Sequence, residues 1–192
     1  LERLGRLERA LYKRRLAQRH APAVRLLGEE LERQSDRLLQ SVLPMGPIHG
    51  DLGLSRIRWL HGHLSGVVDF EPACRDRLVL DLAQALSEWA WEPSSKQQGG
   101  PAGRFKLTTA RGFLDGYQRS RVLSSAEREA LPDELRFVAV RCALIRLSDH
   151  ELSKRSRRGG RPYQDYRHAT ARLEALADDR AETLVRRALE RR

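Results

Sequence analysis

Two aspartates stand out in PIHGDLGLSRIRWLHGHLSGVVDF, residues 47–70. Asp51 follows a histidine and a glycine, and Asp69 closes a short apolar run. A carboxylate on a loop can take the proton of a substrate hydroxyl. One at a strand end can hold Mg²⁺ through hard oxygen ligands. Set a few ångströms apart, two such groups make a minimal phosphoryl-transfer site. His49 is placed to bond backbone groups and shape the approach of Asp51, and Gly50 lets the chain turn where a side chain would collide. Loop aspartates also cap helices and turns in many folds, so the pair alone leaves a structural role open.

The elements needed to position them follow from the periodicity. Leu1, Leu4, Leu7 and Leu11 form one stripe, predicting a helix over 1–20 that Pro22 interrupts. A second helix is expected over 23–42, stopped by Pro44, Gly46 and Pro47. Ile48 and His49 read as a very short extended piece, and Gly50 to Ser55 as a loop. Ile57–Leu60 and Leu64–Val68 read as strands of a hairpin turning at His61 and Gly62. That turn is a better account of His61 and His63 than metal ligation, since no cysteine or acid cluster accompanies them. The helical period returns from Asp76, with Trp89 and Trp91 widening its apolar surface and Phe70 assigned to core packing beside Asp69. Residues 93–103 read as a flexible polar linker. Helices are expected over 108–120, over a short capped stretch from Ser124 to Pro132, over 133–152, and over 164–191 with a break near Asp178 and Asp179. The sum is one mostly α domain over 1–192 with a small β-hairpin within 47–70.

Composition narrows the classes. The 192 residues are 40% hydrophobic and 32% charged, as in a globular chain. No run nears the about 18 apolar residues of a membrane span, and the charged, helical opening argues against a secretory leader. Cys74 and Cys142 have no metal-type spacing and sit among apolar neighbours, which predicts buried free thiols and a cytoplasmic setting. The charge of +10, from 36 Lys and Arg against 26 Asp and Glu, would attract phosphorylated ligands or nucleic acid. Yet only residues 154–161, within a basic loop over 153–162, form a dense basic block, and no aromatic residues interleave with it. Nucleic-acid binding is therefore the weakest of the functional alternatives.

Read whole, Pro47 to Phe70 resembles the catalytic segment of the aminoglycoside phosphotransferase and choline kinase superfamily, with bacterial kinase-like homoserine kinases as the nearest branch. The resemblance continues through LSGVVDFEPACRDRLVLDLAQALSEW and RFVAVRCALIRLSDHEL to QDYRHATARLEAL, about positions 35–177. It implies the C-terminal lobe of a protein-kinase-like fold, with Mg²⁺ and ATP as cofactors and a small homoserine-like alcohol as acceptor. Carried over residue by residue, Asp51 becomes the catalytic aspartate, His49 the residue shaping its loop and Asp69 the Mg²⁺ ligand. Asp81 becomes a structural tie between loop and helix. Asp76 either lines the substrate pocket or caps its helix, and Arg146 either meets a substrate carboxylate or forms an internal ion pair.

Two departures qualify the transfer. Where the family carries a metal-binding asparagine, five residues beyond the catalytic aspartate, this chain has Arg56, and it contains no asparagine anywhere. A guanidinium has only donors and cannot ligate a cation. Arg56 is left to bind a phosphate of the nucleotide cofactor or to pair with Asp69 or Asp51, holding the pocket closed without metal. The family's N-terminal lobe, with its glycine-rich loop and lysine, also has no counterpart in residues 1–46. The chain begins on leucine, as a piece of a longer protein would. The expectation is phosphotransfer once an upstream lobe or partner chain completes the cleft, with a catalytically inactive binding module as the alternative.

Overall fold

The computed structural model describes residues 5–7, 9, 17–40, 42–93, 103–152, 166–177 and 179–190. The fold is predominantly helical, with three two-stranded antiparallel sheets among the described residues. In chain order the elements are α1 (Ala17–Gln40), β1 (Met45–Ile48), a 3₁₀ turn (Leu54–Arg56), β2 (Ile57–Leu60), β3 (His63–Val67), β4 (Cys74–Arg77) and α2 (Leu78–Trp89). They continue with β5 (Trp91–Pro93), β6 (Gly103–Phe105), α3 (Leu107–Ser120), α4 (Ser125–Leu152), α5 (Tyr166–Ala175) and α6 (Arg180–Leu189).

Helix α4 is the axis of the molecule, because its apolar residues feed two cores. Its first half, with Leu131, Leu135 and Val138, packs with α2, α3 and α6. Its second half, with Ala139, Val140, Ala143 and Leu147, packs with Leu27 of α1, Leu173 of α5 and Leu7. The capping box at its start forms as the sequence predicts: Ser124 Oγ accepts from the Glu127 N–H at 3.2 Å, and Glu127 Oε2 accepts from the Ser124 N–H at 3.0 Å.

Two prolines expected to end helices lie inside them. Pro22 falls within α1 and Pro132 within α4. A proline in a helix interior costs about 3 kcal/mol. The fully buried Leu131 and Leu135 on either side of Pro132 offset it, since each buried leucine returns roughly 1.5–3 kcal/mol. Tertiary packing thus overrides the local breaker.

The strands differ from expectation chiefly by addition. The hairpin over 47–70 is narrower: β2 and β3 pair from Ile57↔Val67 to Leu60↔His63, turning at His61 and Gly62, both with positive φ. Pro47 and Ile48 instead belong to β1, which pairs with β4 from Met45↔Arg77 to Ile48↔Cys74. Asp76 is therefore a strand residue, and α2 begins two residues later. Trp91 also leaves the helix, opening β5, and the expected linker residues Pro93 and Gly103 are strand partners. The remaining linker residues 94–102 and the basic loop 153–162 lie outside the described residues. Cys74 is exposed on β4 rather than buried; Cys142 is partly buried, and burial pushes its thiol up. No helix among the described residues is long and apolar enough to cross a membrane.

Candidate active site

The loop after β1 is fixed before any chemistry is considered. Gly50 adopts φ +80, and a Cβ there would lie 2.5 Å from the Pro72 carbonyl oxygen, so glycine is required on both counts. Asp81, in the first turn of α2, reaches back to this loop. Its Oδ2 accepts from the His49 N–H at 2.6 Å and its Oδ1 from the Gly50 N–H at 2.9 Å. From the other side Arg141 of α4 donates to the Gly50 carbonyl at 2.7 Å and to Gln84 Oε1 at 3.0 Å. The peptide ahead of Asp51 is therefore held by two helices.

His49 joins this loop to the second aspartate. Its Nε2 lies 3.0 Å from the Val68 carbonyl and its Nδ1 3.3 Å from the Asp51 N–H. Together these contacts suit the neutral ring with the proton on Nε2, donating to Val68 and accepting from Asp51. Phe70 packs against the imidazole with ring centroids 4.8 Å apart. It is exposed rather than a core residue, lying beyond the end of β3. Asp69, between Val68 and Phe70, adopts φ +70, a conformation costly for a residue with a Cβ and found preferentially at functional sites.

The two carboxylates meet at Arg56. Its Nη2 donates to Asp51 Oδ2 at 2.6 Å, and its Nη1 lies 2.7 Å from Asp69 Oδ2. The hydrogen bond to Asp51 pushes the guanidinium pKa up despite partial burial, so the cation persists at any working pH. The backbone of Arg56 is anchored as well: its N–H donates to the Gly53 carbonyl, and its carbonyl accepts from the Val68 N–H, each at 3.0 Å. The group remains accessible, with side-chain exposures of 41% for Asp51, 39% for Asp69 and 30% for Arg56.

Two other expected site residues belong to different sets. The Asp76 carboxylate accepts from the Arg77 N–H at 2.7 Å, and the N-cap of α2 is Arg77, so Asp76 is not its cap. Arg146 lies 3.8 Å from Glu88, whose Oε1 also accepts from Arg172 of α5 at 2.7 Å. Glu88 Oε2 comes within 3.4 Å of where a Cβ on Gly53 would stand, so this ion-pair cluster underlies the far end of the loop. Gln84, Glu88 and Arg172 were missed from the sequence. A signal existed for two of them: Asp81, Gln84 and Glu88 follow at i, i+3 and i+7, a polar stripe on a mostly apolar helix.

No group of three or more His, Cys, Asp or Glu among the described residues could hold a metal unaided. Mg²⁺, however, is often bound by one or two carboxylates, with substrate phosphates and water completing the shell. The exposed carboxylate of Asp69 fits that use, provided that Arg56 gives up Oδ2.

Comparison with known proteins gives this geometry a context. The model of the phosphotransferase enzyme family matches residues 1–123. The homoserine kinase of Rhodopseudomonas palustris (strain BisA53) is 40% identical over 124 residues, 65% of this chain and 35% of its own length. That of Granulibacter bethesdensis is 40% identical over 126 residues, 64% of this chain and 37% of its own length. That of Xanthobacter autotrophicus is 41% identical over 107 residues, 56% of this chain and 31% of its own length. The match thus spans about a third of the length of these curated relatives.

Proposed function

The chain belongs to the phosphotransferase enzyme family, and from that premise we propose that it carries the acceptor-activating part of a small-molecule kinase site. Asp51 takes the proton of an acceptor hydroxyl as that oxygen bonds to the terminal phosphorus of ATP and the bond to the bridging oxygen breaks, releasing ADP. Asp69 holds Mg²⁺, which when bound neutralises charge on the phosphates. His49 and Asp81 keep the Asp51 backbone in place, so that the carboxylate is oriented before substrate arrives. The nucleotide cleft is completed by a second lobe, upstream in the same polypeptide or on a partner chain. A small alcohol of the homoserine type is the acceptor, as the names of the relatives suggest, and a cytoplasmic setting suits the free thiols.

The observation that carries the reading is the convergence of Asp51 and Asp69 on one guanidinium, at 2.6 and 2.7 Å, which sets both carboxylates around a common accessible space. The same observation favours a second reading, a kinase-like module that binds without transferring, because Arg56 already pairs with both carboxylates and offsets one of their two charges.

The test is phosphorylation of homoserine and simple amino alcohols by the full-length parent protein with ATP and Mg²⁺. Asp51→Asn is expected to lower turnover by about 10²–10⁴-fold, the usual range for loss of a general base. Its thermal melt should stay close to that of the unaltered protein. Undiminished turnover in Asp51→Asn would remove Asp51 from the mechanism, and no turnover in either protein would leave the binding module.

A further inference from the structure

The position of Arg56 has a consequence for cations that is separate from turnover. One guanidinium spans the Oδ2 atoms of Asp51 and Asp69. Any ion binding both carboxylates from the same side would need that space. A divalent cation entering beside Arg56 would meet a fixed positive charge within a few ångströms and would find one oxygen of each carboxylate already used.

Two features make the arrangement exchangeable rather than permanent. All three side chains are about a third exposed, so solvent and solutes reach them. The Arg56 Nε–H is buried without a hydrogen-bond acceptor, so the guanidinium is incompletely satisfied where it sits. A phosphate offers several charged acceptor oxygens and suits the planar fork of arginine. By contrast, the backbone around Arg56 is secured at both its N–H and its carbonyl, so any movement is confined to the side chain.

We propose that Arg56 is the resident cation of the Asp51–Asp69 pair, excluding free divalent ions and yielding only to a divalent ion that arrives with a polyphosphate. The polyphosphate takes the guanidinium as the metal takes the carboxylates, and no covalent bond changes. What arrives at the site rests on the phosphotransfer reading; the exclusion of free metal does not.

The experiment measures Mn²⁺ alone, by electron paramagnetic resonance titration of the 192-residue chain at physiological salt. The unaltered chain is expected to leave Mn²⁺ free at concentrations where Arg56→Asn binds one ion at least tenfold more tightly. Combining Arg56→Asn with Asp69→Asn should remove that gain. Equilibrium dialysis with Mn²⁺ and inorganic pyrophosphate should then load the unaltered chain with both, at a level that Mn²⁺ alone does not reach. Circular dichroism checks each fold, and Arg56→Gln, which keeps more of the stem, carries the same expectation if Arg56→Asn does not fold. Binding of Mn²⁺ alone by the unaltered chain within threefold of the folded variant would overturn the proposal, as would no gain in the variant or no added retention with pyrophosphate. None of these results depends on turnover: metal exclusion can fail while Asp51 remains the base, and turnover can be absent while exclusion holds.

Discussion

Arg56 and Arg136 make the same kind of contact with opposite consequences. Arg136 of α4 grips the Glu30 carboxylate of α1 with two nitrogens, Nε at 2.6 Å and Nη2, and spends Nη1 on the Leu176 carbonyl beyond α5. Side-chain exposure is 10% for Arg136 and 5% for Glu30, and Arg33 and Gln34 also donate to the same carboxylate. There one acid is saturated with donors, and the Arg136–Glu30 pair ties α1 and α4 to the turn after α5. At Arg56 one cation is shared by two acids in the open. Burial separates a contact that holds the fold together from one that a ligand can displace. In water an ion pair is worth about 0–1 kcal/mol, whereas removing one partner of a buried pair strands a charge at a cost of about 3–5 kcal/mol.

The comparison breaks most visibly with Glu30→Ala, expected to cost about 3–5 kcal/mol and to lower the melting temperature by many degrees. A loss below 1 kcal/mol would mean that water reaches Arg136. Acid should reproduce much of the effect. Burial alone would raise the Glu30 pKa, but hydrogen bonds and charge from Arg136 and Arg33 outweigh it and lower the value from 4.5 to about 2. Because the folded value is the lower one, this stabilisation is complete above about pH 4.5 and is lost as pH falls towards about 2. It is worth on the order of 3 kcal/mol and readable from denaturant titrations across that window. Replacing both partners, Glu30→Leu with Arg136→Met, should cost less than half as much as Glu30→Ala, since no charge is stranded. The smallest effect belongs to the open site: Arg56→Gln should change stability by no more than about 1 kcal/mol, measured by the same titration.

What could be read from the sequence divides along physical lines. The hairpin was legible because His61 and Gly62 supply a turn between two apolar runs, and both adopt positive φ. The capping box at Ser124 and Glu127 was legible because its signal lies within four residues. Pro132 misled, since a local breaker is outweighed by leucines whose burial depends on α2 and α3. Asp76 and Arg77, the last two residues of β4, were read as the start of a helix because CRDR has no apolar alternation; pairing with β1 makes them strand residues. At the site, Asp51, Arg56 and Asp69 were singled out from one continuous stretch, and their side chains converge. Arg172 was not, because α5 brings it to Glu88 across a separation in sequence that no local pattern records. Phe70 was misplaced for a related reason, its apolar character being used against His49 at the surface rather than in the core.

The grip on Gly50 has one last implication. Its amide proton answers to α2 through Asp81, and its carbonyl oxygen answers to α4 through Arg141. A small sliding or rotation of one helix against the other would therefore be geared directly to the height of the neighbouring carboxylate. Substitutions in the oily seam between those helices would act as tuning screws on the pose of Asp51 and leave the acidic residues themselves untouched.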